Sequence, residues 1–202
     1  MSNESLVRPG AQQRYERRRE NVLTAAAAVF ARRGYQATTI DDLVIATGLT
    51  RGGLYHYIES KDDLLFAIHE RFIEPLLAET RRIEADDIEP AEVLRHISRA
   101  LMRDIVTYHD HGLVFLREWR AMRDEPRWKR VADSRREFER VILRTLERGQ
   151  RTGDFSLEDP HLAVLGFLGM FSYTYQWMKP QHTSPEVVAD QFCNIFLSGI
   201  ET

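Results

Sequence analysis

Three helix-start signals crowd into the 22 residues from Thr39 to Ser60, and that spacing is the tightest constraint on what this chain can fold into. Thr39 followed by Asp42 makes a capping box, in which a hydroxyl and a carboxylate each satisfy an amide that a helix N-terminus leaves open. Ser60 with Asp63 repeats the device, and Thr50 caps a helix between them. Gly48 supplies the stop after the first. Helices are therefore predicted over 40–47, over 51–57 and from Ser60 onward. Helices this short are stable only when packed on one another. Upstream, Val22, Ala26, Val29 and Phe30 share one face of a helix from Arg14, closed by Gly34 after Arg32 and Arg33.

Helical periodicity continues through the remainder, and no stretch alternates with period two. Segments over 91–108, 113–123, 127–151, 161–178 and 185–199 are separated by the turn His109-Asp110-His111-Gly112, by Glu125-Pro126, by Gly153 and by Lys179-Pro180 with Ser184-Pro185. Pro75 falls inside the stretch opened at Ser60. An interior proline costs about 3 kcal/mol, so a kink or break is expected there. The predicted fold class is all-α with about nine helices. A disordered tail covers 1–13, a three-helix head 14–62, and a helical body 63–202.

Composition removes several classes. No run approaches the roughly 18 apolar residues of a membrane span. The first 13 residues are polar, without a secretory signal, and a cytoplasmic address is expected. One cysteine, Cys193, excludes an internal disulfide and a cysteine-built metal site. His109-x-His111 with Glu118 is too weak a pattern to imply a metal. No nucleophile elbow, phosphate-cradling loop or zinc-protease motif is present, so no enzyme activity and no cofactor is expected. The net charge of −3 is unevenly spread: residues 1–61 hold nine Lys/Arg against six Asp/Glu, a balance of +3, leaving −6 for the rest. A basic head on an acidic body brings one end, not the whole surface, toward phosphate.

A helix, a tight glycine turn and a second helix let the second helix enter the major groove of DNA. Here the second helix carries Gly52 and Gly53, each costing about 0.8–1 kcal/mol relative to alanine. That cost makes sense where backbone must approach bases or phosphates. Thr50, Tyr55, His56, Tyr57 and Lys61 surround the pair, and Arg51 can bind guanine bidentately. On these residues alone a plainer reading also stands, with Leu54 and Tyr57 as core and the glycines as loop.

The stretch from Ala37 to Leu43, then Ala46-Thr47-Gly48-Leu49-Thr50-Arg51-Gly52-Gly53-Leu54-Tyr55-His56-Tyr57, then Ser60-Lys61-Asp62-Asp63-Leu64, resembles the DNA-binding head of the tetracycline-repressor (TetR) family. Ala25 to Tyr35 is similar to that family's first helix. The resemblance implies that Thr39, Thr50, Tyr55, Tyr57 and Lys61 hold phosphates while Arg51, Gly53 and His56 face bases. It departs at Ile58, where an aromatic is usual, and at Val44-Ile45. It implies a homodimer on a palindromic double-stranded operator, joined through the last two helices, 161–178 and 185–199.

The body is rich in aromatic and methionine residues at helical spacing, which is also how ordinary core looks. Polar groups among them suit a small-molecule site. Phe115, Glu118, Trp119, Met122, Phe138, Met170, Tyr173 and Trp177 are its candidate lining. Phe115-Leu116-Arg117-Glu118-Trp119 and Tyr175-Gln176-Trp177-Met178-Lys179-Pro180 resemble a family branch that senses acyl-CoA thioesters in fatty-acid or sterol breakdown. That implies an acyl-CoA or related lipid as the small hydrophobic effector, with Arg117, Arg120, Arg123, Arg144 and Lys179 as candidates for its anionic end. The alternatives are an aromatic or drug-like effector, and an interaction protein that merely carries the head. Pro75 lies midway along the link between effector and head, where it is either a hinge or simply the end of the helix.

Overall fold

The computed structural model describes residues 9–86, 88–122, 126–178 and 183–200; the side chains of 9, 119–122 and 127 fall outside that description. Among the described residues nine α-helices follow in order: α1 Pro9–Arg33, α2 Ile40–Thr47, α3 Arg51–Tyr55, α4 Lys61–Ala85, α5 Pro90–Thr107, α6 His109–Met122, α7 Lys129–Thr152, α8 Pro160–Ser172 and α9 Pro185–Ser198. Short 3₁₀ turns cover Pro126–Trp128 and Tyr173–Gln176, and the described residues form no β-sheet. The chain divides into two compact units, residues 1–68 and 69–202.

In the first unit, Val22, Leu23, Ala26 and Phe30 of α1 and Leu43, Leu54 and Leu64 are all closed to solvent. Both predicted caps on α2 and α3 form. The Thr39 hydroxyl accepts from the Asp42 amide while the Asp42 carboxylate accepts from the Thr39 amide, and the Thr50 hydroxyl accepts from the Gly53 amide. Gly48 ends α2 at φ 65°, a left-handed conformation that L side chains adopt only with strain. The first helix begins at Pro9, so residues 9–13 extend α1 instead of forming a tail. Proline suits a helix start, where its missing N–H is not needed.

In the second unit, α5 packs against α9, α7, α6 and α8. Val93, Leu94, Ile97, Leu101, Met102 and Ile105 are its buried face. Arg99 and Asp190 close the α5–α9 seam with a two-pronged ion pair at 2.6 and 3.1 Å. Helix α7 buries Val131, Phe138, Val141, Ile142 and Leu146, and its outer face carries the Arg136–Asp133 and Arg140–Glu137 pairs, each one turn apart. Such exposed pairs add little stability each.

Three sequence expectations change here. Helix α4 passes through Pro75 without a break. Pro75 faces solvent, while Phe72, Ile73, Leu76 and Leu77 around it are buried, and that burial outweighs one missing backbone bond. The residues expected as a turn, His109 to Gly112, are the first turn of α6, with the Gly112 amide donating to the Tyr108 carbonyl at 2.9 Å. Finally, α8 ends at Ser172, and the chain tightens into a 3₁₀ turn from Tyr173.

This helical position has room only for glycine: a Cβ at Gly112 would overlap the phenol oxygen of Tyr175. Gly112→Ala should therefore destabilise the protein by about 1–3 kcal/mol, read as a lower midpoint in urea. Asp104, on the last turn of α5, is buried, and desolvation raises its carboxyl to about pH 6 against the attraction of Arg103 and Arg71. The folded state thus holds this proton more tightly than the unfolded chain, so stability is lost as pH rises from about 4 through about 6. Asp104→Asn should raise the melting temperature at pH 7, with the gain shrinking toward pH 4.

Candidate nucleic-acid interface and body cavity

Helix α3 is five residues long and is positioned from three sides. Thr50 caps its start and Leu54 is fully buried beneath it. At its far end Tyr15 of α1 stacks on Tyr57 at 5.2 Å and meets His56 edge-on at 5.6 Å. Tyr15 was not among the sequence candidates, because a stack between the first helix and the third leaves no local pattern. The outward side of the helix then presents Arg51, Gly52, Tyr55 and His56 to solvent, Tyr55 at 46% exposure. Tyr57 and Gly53 are half-buried.

The remaining head residues are already engaged. Arg51 pairs with Asp41 at 2.7 Å, both well exposed, a contact that water and salt weaken readily. The Thr39 hydroxyl bonds the Asp42 carboxylate at 2.8 Å. The Thr39 backbone amide first, and then its hydroxyl, hold Asp42 below the usual carboxylate range, with Arg33 adding to the effect. Lys61 donates to the carbonyls of Tyr35 and Thr38 at 3.0 and 2.9 Å, and its ammonium sits 4.3 Å from the Tyr35 ring centre. Its role in the fold is a clamp on the connection between α1 and α2, which leaves one ammonium N–H for another acceptor.

In the second unit, α4, α5, α6, α7 and α8 enclose a mostly apolar cavity of about 80 Å³. Phe72, Ile105, Phe115, Phe138, Phe171 and Tyr175 are among its walls. Of the expected lining, the structure brings Phe115 and Phe138 together here. Glu118 lies on the same helix as Phe115 but not on the wall, and Met170 is half-buried elsewhere on α8. Tyr173 and Trp177 are exposed at 67% and 43%. Trp119 and Met122 lie outside the described side chains, as do Arg120, Arg123 and Lys179. Arg144 is tied to Glu84 and Glu137, and Arg117 is exposed. The cation on the cavity wall is instead Arg135, paired with Glu139 at 3.2 Å and 5.5 Å from the Phe115 ring centre. Its place on the seam between the charged and apolar faces of α7 was the available signal. His109 reaches the Asp110 carboxylate and the Tyr175 carbonyl, whereas His111 is buried beside Tyr108, so the two rings are engaged separately.

Helices α8 and α9 meet through Phe167 with Phe196 and Phe171 with Phe192. Beyond that seam they leave Leu162, Leu165, Val187 and Ile195 exposed at 48–65%, with Gly166 and Gly169 open between them. Apolar groups gathered in this way mark an interaction surface more than a solvated one.

Residues 22–68 match the family described as "Bacterial regulatory proteins, tetR family", and residues 87–200 match "Tetracyclin repressor-like, C-terminal domain". The transcriptional repressor KstR2 of Rhodococcus jostii is 27% identical over 185 residues, 91% of each chain. The structure of the ketosteroid transcriptional regulator KstR2 of Mycobacterium tuberculosis aligns with a TM-score of 0.86 at 27% identity, covering 92% of this chain and 95% of that one. AibR in complex with isovaleryl coenzyme A and operator DNA has the same fold, with a TM-score of 0.77 at 24% identity over 88% and 97% of the two chains.

Proposed function

The chain belongs to the tetracycline-repressor family, a family of DNA-binding regulators rather than enzymes, and on that premise we propose that it is a repressor released from a palindromic operator by a small hydrophobic effector. The observation that carries the operator half is α3, held by its cap, its core leucine and Tyr15 so that Arg51, Tyr55 and His56 face outward. In this reading Arg51, Gly53 and His56 approach base edges. Thr39, Thr50, Tyr55, Tyr57 and the remaining donor of Lys61 take phosphates. Arg51 exchanges Asp41 for a base at little cost, because the pair is exposed.

Two half-sites one helical turn apart require two recognition helices about 34–36 Å apart, hence a two-fold dimer. The exposed apolar residues of α8 and α9 support a homodimer through those helices. The effector half rests on the body cavity, whose walls are aromatic and aliphatic with one ion pair at hand. An acyl-CoA or related lipid is the favoured effector. The ketosteroid regulator at 27% identity supports a molecule of that kind over a drug-like aromatic. Effector in the cavity presses on α4 at Phe72, Ile73 and Leu76, and α4 is the helix that begins at Lys61.

Arg51→Ala should cost about 1–3 kcal/mol on the cognate operator and relax its sequence preference. Lys61→Ala should weaken binding to every sequence and lower the salt slope by about one. Equal loss on all sequences for Arg51→Ala would remove Arg51 from base reading. For the effector, the protein on its own promoter fragment is titrated with acyl-CoAs, free fatty acids and aromatic compounds. Release by micromolar thioesters but not by free acids is expected; operator binding that no thioester disturbs retires the acyl-CoA reading and keeps the repressor.

A further inference from the structure

The far end of α3 is braced by a residue that lies upstream of the stretch matched to the family. Tyr15 stands on α1 seven residues before Val22, where that match begins. Seven residues are two helical turns, so Tyr15 continues the face that Val22 and Ala26 bury, past the end of the core. There it is half-buried, and its ring and hydroxyl turn to the end of α3. The hydroxyl donates to the His56 carbonyl at 3.4 Å, at the terminus where a helix leaves its carbonyls open. The ring stacks on Tyr57 at 5.2 Å and stands at 89° to the His56 ring at 5.6 Å. Tyr57 meets the same His56 ring at 5.1 Å and 79°. His56 is thus exposed to solvent yet set edge-to-face against a stacked tyrosine pair, an arrangement aromatic rings favour.

We propose that Tyr15 is a positioning residue for base reading: it fixes the His56 ring before DNA arrives and so sets the sequence preference that His56 contributes. The inference rests on the reading of α3 as the recognition helix with His56 toward base edges, and it adds a specificity determinant from outside the matched head. A free histidine at a helix end samples several side-chain angles, and freezing it on binding lowers affinity for the cognate sequence. A ring already held by the Tyr15–Tyr57 pair has lost that freedom on folding. Discrimination sharpens for the same reason, because a ring that swings freely reaches acceptors on the wrong base as well. Tyr15 carries no charge, so its contribution lies in sequence-dependent binding and not in the attraction of phosphates.

The test is fluorescence anisotropy of the full chain on its own promoter fragment and on versions with single base-pair changes across the footprint. The proteins are wild type, Tyr15→Leu, Tyr15→Phe, His56→Ala and the Tyr15→Leu/His56→Ala double variant. Leucine covers the same surface without a ring, which separates positioning from simple burial. Tyr15→Leu should bind the parent fragment about two- to tenfold less tightly. It should flatten preference at the base pairs that His56→Ala also flattens, with the salt slope of the wild type. The double variant should be no weaker than His56→Ala, since the two residues act through one contact. Tyr15→Phe keeps both ring contacts and should hold most of the preference. Full preference in Tyr15→Leu, equal loss on every fragment, or losses that add in the double variant overturns the inference and leaves His56 a base reader. If His56→Ala alters no base preference, the assignment of His56 falls, and this inference with it.

Discussion

A five-residue helix has no stability of its own, and everything the head can do with DNA depends on how α3 is held. Closing the first turn of a helix fixes several backbone angles for one hydrogen bond, so a helix this short exists only where its surroundings impose it. Here the imposition comes from Leu54 in the core, from Thr50 at the start and from the Tyr15–Tyr57 stack at the end. The Lys61 clamp does the same for the connection between α1 and α2, replacing two lost water contacts of backbone carbonyls with a charged donor. Of the two glycines of α3, Gly53 gives its amide to the Thr50 cap, and a Cβ there would crowd the Thr50 hydroxyl. A Cβ at Gly52 would meet open space, so the lack of a side chain there concerns what lies outside the protein.

The body solves a different problem. Its helices are long enough to be stabilised by burial, and α5 is covered by neighbours on most of its circumference. What the burial leaves over is informative. Asp104, His111 and the Tyr175 hydroxyl are polar groups buried among the apolar residues of the unit, alongside Thr80, Ser98, Ser134, Thr145 and Thr174. Gly112, which looks like the hinge of a turn, is instead the space that the Tyr175 phenol occupies. A core selected for stability alone would carry phenylalanine in place of Tyr175, whose hydroxyl is buried without a hydrogen-bond partner among the described residues, since an unsatisfied polar atom in a dry interior is among the costlier defects a fold can carry.

How far the sequence was legible follows from how local each signal is. The Thr39–Asp42 box, the Thr50 cap and the stops at Gly48 and Gly153 act within four residues, and the structure shows each of them. Phe115 and Phe138 stand on clear apolar stripes and reach the cavity together. Tyr173 and Trp177 continue the stripe of α8 on paper, but the 3₁₀ turn after Ser172 has a different period and turns them outward. The start of α6 at His109 and the role of Gly112 depend on Tyr175, far along the chain. Pro75 was read by its local penalty, which four buried neighbours on α4 outweigh. In each case the missing information was a tertiary contact.

The size of the cavity bears on mechanism more than its lining does. Drug-sized ligands occupy pockets of about 300–1,000 Å³, and this one is about 80 Å³. On the proposed reading a lipid-sized effector enters only by moving walls, and Phe72, Ile73 and Leu76 make α4 one of them. That misfit is what gives a ligand leverage. A molecule that fits both conformations equally shifts no equilibrium, however tightly it binds. One that fits only the expanded cavity favours that state by its whole differential affinity, about 2.7 kcal/mol for a hundredfold preference. An unbroken α4 suits such a device, because a continuous helix transmits a displacement along its length where a broken one would absorb it.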